Sequence, residues 1–460
     1  MIPMTLTEIA EVVEGRVAGD PATQVTGAAF VDSRSPVENG LFVAVIGEHV
    51  DGHEYAGDAV AHGAAAVLGS HDTGQPGVVV DDPVAALARL AGHVVDRLPA
   101  TVLAMTGSQG KTGTKDYLAH VLEGFGPTVA TRGNLNNEIG VPLTVLRADE
   151  QTAYLVVEMG ARGVGHIAYL CDIARPDVAA VLNVGTAHLS EFGSREAIAQ
   201  AKGEIVESLA PEGVAVLNAY DDFTPGMAAR TRARVITFGG HDSDVAWRDP
   251  SADDLGRQSF TLGYDGEWFP VRLGQLGAHQ VQNAMAATAM AVGAGLPLEQ
   301  VAARLSTAAP ASRWRMELHE RPDGLVVIND AYNANPESMK AALGTLAGIG
   351  RSRDCRTLAV LGEMLELGDG AVDAHRDVGR FAAAEGVDVV VTVGEAASAI
   401  AEGARGHEGW TGEAIVTAGR DEALSWMREN VAAADVVLVK ASRGAALEHI
   451  ADGLLEGSTQ

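Results

Sequence analysis

The chain has 460 residues, 47% of them hydrophobic, with a mean hydropathy of +0.09 and a formal charge of −28. That length suits about three domains of ~150 residues each, and no apolar run approaches the ~20 residues of a membrane span. So acidic a chain excludes broad binding to nucleic acid or to an anionic membrane, both of which need a basic footprint, but it allows an anionic small ligand in a local cationic pocket. Cys171 and Cys355 lie outside any metal-type spacing and read as reduced thiols of a cytoplasmic protein. Met1–Glu14 carries no basic leader, so no secretory signal is expected.

Residues 1–98 read as a small α/β unit. Leu6, Ile9, Ala10 and Val13 suit a first helix, and Leu41–Val45 and Ala64–Leu68 suit buried strands. Ser33-Arg34 precedes the first of these strands and Gly47–His53 follows it. Arginine offers a planar fork to a pyrophosphate, although a plain turn competes for the same residues. Asp81-Asp82-Pro83 opens a helix running toward Leu98, and Pro99 marks a boundary.

Residues 99–310 alternate strands and helices, which predicts a parallel sheet with covering helices. The apolar run Val102–Thr106 leads into Gly107-Ser108-Gln109-Gly110-Lys111-Thr112-Gly113 and then a helical pattern. Strand, glycine loop and helix in that order wrap nucleotide phosphates with backbone N–H groups. Lys111 then reaches the β/γ-phosphates, and the Thr112 hydroxyl helps to hold Mg²⁺. Met105 stands where the common phosphate loop has its first glycine, so this is the shorter T-G-S-x-G-K-T form.

Asn134, Asn136 and Asn137 lie in a loop before a helix, where amides suit either a polar substrate or turn geometry. Glu158 ends the strand Tyr154–Glu158, a site for a Mg²⁺-binding carboxylate. Asn183 and His188 sit at or just after the end of the strand Val178–Val184, and His188 suits a second cation. Lys202 lies on the helix Arg195–Leu209 beside Gly203, whose presence in a helix suggests close approach of another group. Asn218 ends the next strand. Residues 240–275 look β-rich, as an inserted hairpin or small sheet. Asn283, on the helix Gln280–Gly293, is a candidate for the adenine edge.

Residues 311–460 form a third α/β unit, with strands expected at Leu325–Asn329, Thr357–Leu361, Val387–Val393 and Val436–Val439. Arg315 sits at the domain junction, from which it can reach nucleotide phosphates. Asp330 is a candidate for ribose hydroxyls, Asn333 and Asn335 for phosphate or substrate, and Pro336 opens a helix. No G-x-G-x-x-G follows a strand here, so a dinucleotide site is not supported.

Lysine is scarce. Lys111, Lys115, Lys202, Lys340 and Lys440 are the only five, and the other 28 of the 33 basic residues are arginine. A compact primary amine does what a guanidinium cannot at a phosphate or a modified site. Lys111 and Lys202 therefore draw specific roles, while Lys115 and Lys340 read as ordinary helix residues.

Together these segments resemble the Mur ligases, over nearly the whole chain. Thr106–Thr112 is similar to that family's phosphate loop. Glu158, His188 and Lys202 match its metal-binding acid, metal-binding histidine and carbamylated lysine. His279–Asn283, Arg315 and Asp330 match its nucleotide positions. Lys440-Ala441-Ser442-Arg443-Gly444 resembles its K-G-S-R segment, with alanine in place of glycine, and Lys440 and Arg443 join the substrate candidates.

The runs Asn134–Pro142, Asp330–Pro336 and Leu361–Gly368 with His375 resemble the branch that adds D-alanyl-D-alanine to UDP-N-acetylmuramoyl-tripeptide. Ser33-Arg34 and the Gly47–His53 loop resemble its uridine-nucleotide region. The resemblance implies an N-terminal substrate domain (1–98), a central ATP-binding domain (99–310) and a C-terminal Rossmann-like domain (311–460). It implies ATP as cosubstrate, Mg²⁺, a carbamate on Lys202 and catalytic roles for Lys111, Lys202 and His188. The expected protein is a cytoplasmic monomer. A sister ligase adding another amino acid, a folate-type glutamate ligase, and a P-loop kinase or nucleotide switch are the competing readings.

Overall fold

The computed structural model describes residues 1–47, 49–185 and 192–456, without the side chain of Asp369. His188 and Glu48 lie outside the described residues.

The first unit holds β1 (Met4–Thr5), β2 (Arg16–Ala18), β3 (Gln24–Val25), β4 (Ala29–Phe30), β5 (Leu41–Val43), β6 (Ala66–Gly69) and β7 (Gly77–Val79). β1 pairs with β3. The others form a sheet in the order β2-β7-β6-β5-β4, parallel from β4 to β7 with β2 antiparallel at one edge. The helix Pro83–Val95 starts as its sequence asks. Asp82 accepts the N–H groups of Val84 and Ala85, and Pro83 occupies a first-turn position where no donor is needed. Its Leu87, Leu90, Ala91 and Val94 are fully buried. They belong to one apolar cluster that runs from this unit into a face of the central sheet.

The central sheet contains β8 (Thr101–Thr106), β9 (Thr128–Ala130), β10 (Tyr154–Glu158), β11 (Val178–Val181), β12 (Val214–Asn218) and β13 (Arg234–Phe238), then β14 (Val245–Ala252), β15 (Arg257–Tyr264) and β16 (Glu267–Leu276). Its order is β16-β15-β14-β13-β12-β11-β8-β10-β9. β8 to β13 are parallel, so their carboxyl ends share one edge. The β-rich stretch is no separate sheet. Phe238 pairs with Val245, and β14–β16 continue the central sheet as an antiparallel meander. Apolar residues of that meander pack in the same cluster as the Ala- and Met-rich helix His279–Gly293, which draws them onto the common core.

The last unit is a sheet of β17 (Glu317–Glu320), β18 (Val326–Asp330), β19 (Thr357–Leu361), β20 (Val389–Val393), β21 (Glu413–Thr417) and β22 (Val436–Lys440), in the order β17-β18-β22-β19-β20-β21. All are parallel except the edge strand β17. Purely apolar runs such as Val436–Val439 suit strands covered on both faces. Their residues divide between two clusters, one on each side of the sheet. The fold is thus a central phosphate-loop sheet flanked by two further α/β units. Among the described residues no helix is long and apolar enough to cross a membrane.

Candidate active site

The strand β8 delivers the chain to Gly107, and the helix Lys111–Leu122 carries it away. Gly110 caps that helix with φ of 81° and contributes no side-chain bond. The first N–H groups of the helix are therefore left to a ligand, and the positive end of the helix dipole favours an anion. Asn183, just past β11, holds the loop in shape. Its Oδ1 accepts the N–H groups of Ser108 and Gln109, each at 3.0 Å, and its Nδ2 donates to Gln109 O at 3.0 Å. The sequence located Asn183 at a strand end but assigned it nothing. Its neighbourhood with β8 comes from strand order.

Asn283 presses on the same loop. A β-carbon on Gly110 would stand 2.7 Å from its Oδ1, and one on Gly113 would stand 2.6 Å from its Nδ2. A side chain at either position would push the Asn283 amide aside, and Gly110 also holds a φ that favours glycine. Lys111 donates from Nζ to Gly107 O at 2.7 Å. Burial lowers its pKa, with Glu158 acting against that shift and Arg315 adding to it.

Glu158 ends β10 across from the loop and is 2% exposed. Thr112 Oγ1 donates to its Oε2 at 3.2 Å, and Asn136 Nδ2 to its Oε1 at 2.8 Å. The other asparagines of that loop divide. Asn137 Oδ1 accepts the N–H groups of Ile139 and Gly140, which is turn chemistry, and Asn134 is exposed at the rim. His166, also on the cleft wall, pairs with Glu138 at 3.2 Å.

Lys202 is 5% exposed, and among the described residues its amine has no hydrogen bond or ion pair. The nearest acid along the helix, Glu204, accepts the N–H groups of Gly165 at 2.6 Å and Ala168 at 3.0 Å instead. Burial and the nearby Lys111 drive the pKa of Lys202 well below that of an ordinary lysine. The close approach that Gly203 signalled comes from Arg230 and not from a ligand. Lys115 departs from its expectation as an ordinary helix residue: it is 6% exposed and pairs with Asp116 at 2.5 Å.

The third unit faces this edge. Arg315 lies 4.2 Å over the ring of Tyr332. Asp330, at the end of β18, accepts the Met316 N–H at 3.1 Å on one oxygen and Lys440 Nζ at 2.6 Å on the other. Lys440 also donates to Asn333 O at 2.9 Å. Asn333 is exposed, and Asn335 caps the helix Pro336–Arg353 through its side chain to Ser338 N. Arg443 stacks 4.2 Å over Trp314 and pairs with Glu448 at 2.6 Å. Trp314 and Met316 flank Arg315 with φ of 58° and 50°, left-handed backbone that bulky residues adopt only at a cost.

Lys440 and Asp330 form a buried pair, with side chains 3% and 12% exposed. Removing one partner leaves the other charge buried and uncompensated. Lys440→Met is therefore expected to destabilise the third unit by about 3–5 kcal/mol, read from chemical denaturation. A loss under ~1 kcal/mol would contradict that reading.

Residues of the central and third units enclose a cleft of about 900 Å³. It gathers Gly107–Gly113, Asn134, Asn136, Asn137, Glu158, Lys202, Asn283, Arg315, Asp330, Asn333, Asn335, Lys440 and Arg443. His279, Gln280 and Gln282, from the run expected at the nucleotide, line it too, and so do Leu365–Leu367, which the sequence had marked only as part of a branch signature. Ser33 and Arg34 lie elsewhere, beyond the carboxyl end of β4. Arg34 is paired with Asp32 at 2.8 Å and its side chain is 87% exposed. The adjoining loop after β5 is pinned by His53, whose Nδ1 lies 2.6 Å from Asp51 Oδ1 and whose Nε2 accepts Ser70 N–H at 2.8 Å.

Family models match along the chain: "Mur ligase family, catalytic domain" at residues 20–102, "Mur ligase middle domain" at 105–291 and "Mur ligase, glutamate ligase domain" at 314–443. The chain is 44% identical to the UDP-N-acetylmuramoyl-tripeptide--D-alanyl-D-alanine ligase of Mycobacterium tuberculosis, over 100% of this chain and 99% of that one. It superposes on the crystal structure of MurF from Acinetobacter baumannii with a TM-score of 0.87, at 33% identity and 99% coverage of both chains. The MurF ligase of Thermotoga maritima, solved in complex with ADP, gives a TM-score of 0.79 at 29% identity, covering 94% of this chain and 98% of that one. This chain belongs to the Mur ligase family.

Proposed function

We propose that this protein is an ATP-dependent ligase that joins D-alanyl-D-alanine to the terminal carboxylate of UDP-N-acetylmuramoyl-tripeptide, in cytoplasmic synthesis of peptidoglycan precursors. Full-length similarity to ligases of that name supports the substrates. The observation that carries the chemistry is the convergence of a phosphate loop, Lys111 and the buried Lys202 on one cleft walled by two units.

In this reading residues 1–98 hold the uridine nucleotide through Ser33 and Arg34, residues 99–310 hold ATP, and residues 311–460 close over it. The acceptor carboxylate attacks the γ-phosphorus, the bond to the β-phosphate oxygen breaks, and ADP leaves. The dipeptide amine then attacks the acyl phosphate carbon, inorganic phosphate departs, and the amine proton is released. Lys111 and the uncapped helix N-terminus offset the charge of the anions brought together. Arg315 and Asp330 approach the nucleotide from the opposite wall, so closure of the third unit completes the site.

Two oxygen donors, Thr112 Oγ1 and Glu158 Oε2, lie 3.2 Å apart at the mouth of the loop. That fits Mg²⁺, which takes one or two protein oxygens and completes its shell with phosphate and water; the ion supplies charge neutralisation. Among the described residues no cluster of three or more His, Cys, Asp or Glu is arranged for a metal. We further propose a carbamate on Lys202, which with His188 would serve a second cation.

Phosphate release from ATP with UDP-N-acetylmuramoyl-tripeptide, with and without D-alanyl-D-alanine, tests the reading. Dipeptide-dependent ADP formation together with an amide product by mass spectrometry is expected. A phosphorylated acceptor that ignores the dipeptide would point to a kinase and overturn it.

A further inference from the structure

Gly203 lies in the middle of the helix Arg195–Glu207, directly after Lys202. A glycine there costs ~1 kcal/mol relative to alanine, so it asks for a reason. A β-carbon built on it would stand 1.9 Å from Arg230 Nη1 and 2.2 Å from Cζ. The guanidinium fills the notch that the missing side chain leaves. From that notch Nη1 donates to Ala199 O at 3.2 Å and Nη2 to Gln200 O at 2.8 Å. Both carbonyls belong to the turn immediately before Lys202. Nε donates to Glu207 Oε1 at 2.7 Å, but Glu207 is 43% exposed and such a pair by itself contributes little. The carbonyl bonds and the shape of the notch carry the bracing.

Arg230 is itself held. It ends the short helical segment Thr224–Arg230, whose start is tied to the carboxyl ends of β11 and β12. Asp221 accepts the N–H groups of Phe223 at 2.9 Å and Thr224 at 3.1 Å on one oxygen, and that of Val184 at 2.9 Å on the other. Thr224 Oγ1 donates to Asn218 O. Elsewhere along the helix Glu204 bonds the start of the helix His166–Ala174. The helix bearing Lys202 is thus held both by Arg230 and through Glu204.

We infer that Arg230 is a positioning residue for Lys202: by bracing the turn Ala199–Gly203 from the glycine notch, it sets where the Lys202 amine stands in the cleft. The inference rests on the proposal that Lys202 acts in the ligase reaction. Glycine is required at 203 because any larger residue expels the guanidinium.

The test uses the full chain with Arg230→Met, Gly203→Ala, both together, Arg230→Lys, and Lys202→Ala in parallel. Each is assayed for amide formation across a Mg²⁺ titration and for thermal unfolding. Arg230→Met and Gly203→Ala are each expected to lower kcat about tenfold to a hundredfold, as small misplacements do. The half-saturating Mg²⁺ concentration should rise, while KM for ATP and for the dipeptide stays within about twofold. The double variant should be no worse than either single one, since both remove the same interaction. Arg230→Lys should recover part of the loss. Normal kcat and Mg²⁺ dependence in Arg230→Met and Gly203→Ala, whatever their melting temperatures, would reduce Arg230 to a fold-stabilising residue and overturn the inference. If Lys202→Ala is inactive beside such normal variants, only the inference falls. If Lys202→Ala keeps full kcat, the proposed role of Lys202 falls and the inference with it.

Discussion

Lys111→Met is expected to lower kcat/KM for ATP by at least about a hundredfold while leaving the fold intact. Methionine keeps the length of the stem and removes the ammonium, with both its charge and its bond to Gly107 O. The ammonium stands at the loop mouth, 2.7 Å from Gly107 O, next to the uncapped start of the helix Lys111–Leu122. Burial works against its charge and Glu158 works for it. A triphosphate entering the loop adds several negative charges at short range, so the charged form is favoured when ATP is bound. Arginine should not substitute, because a compact point charge suits the loop and a planar fork does not. Steady-state kinetics with a melting curve would check this. Activity within about threefold of the parent, with normal unfolding, would remove Lys111 from the proposed chemistry.

Lys202→Ala is expected to cost about a thousandfold in kcat, and a short carboxylic acid in the buffer should restore part of it. The reason is electrostatic. In the unmodified chain Lys111 and Lys202 both line the cleft, and burial together with Lys111 disfavours charge on Lys202. A neutral amine is the form that reacts with CO₂. An N–C bond forms, a proton leaves, and the product is an anion. Repulsion between Lys202 and Lys111 then becomes attraction, and a carboxylate-like group faces the phosphates' cations. Bicarbonate should accordingly raise the activity of protein prepared without it, and carbon-13 bicarbonate should give a carbamate resonance that Lys202→Ala lacks. Full kcat in Lys202→Ala at saturating Mg²⁺ would remove the role, and a bicarbonate-insensitive parent without that resonance would remove the carbamate.

Much of the framework was legible because it is local. Val102–Thr106 followed by a glycine loop and Lys-Thr specifies strand, loop and helix from adjacent residues. Asp82-Pro83 and Asn335-Pro336 specify helix starts through a side chain that accepts N–H groups and a ring that needs no donor. Glu158 at the end of an apolar run reads directly as a carboxylate at a sheet edge. Other features needed distant chain. The meander β14–β16 looked like an insertion, because nothing within residues 240–275 tells that Phe238 will pair with Val245. Edge strands β17 and β21 passed unseen: Glu317–Glu320 carries no apolar run, and that of Glu413–Thr417 is only three residues long.

The amino-acid sequence by itself determined that this protein has a phosphate loop, a parallel central sheet and the Mur ligase pattern of residues along its length. These are consequences of short-range spacing and backbone chemistry. The tertiary structure decided which side chains have partners and which do not. Asn183 clamps the loop because strand order puts β11 beside β8. Asp330 and Lys440 meet across 110 residues because β18 pairs with β22. Gly203, which in the sequence signalled only that some group comes close, turns out to be the seat of Arg230, 27 positions further along. Hydrogen bonds and buried charges depend on distance in space, and packing alone brings remote positions within reach of one another.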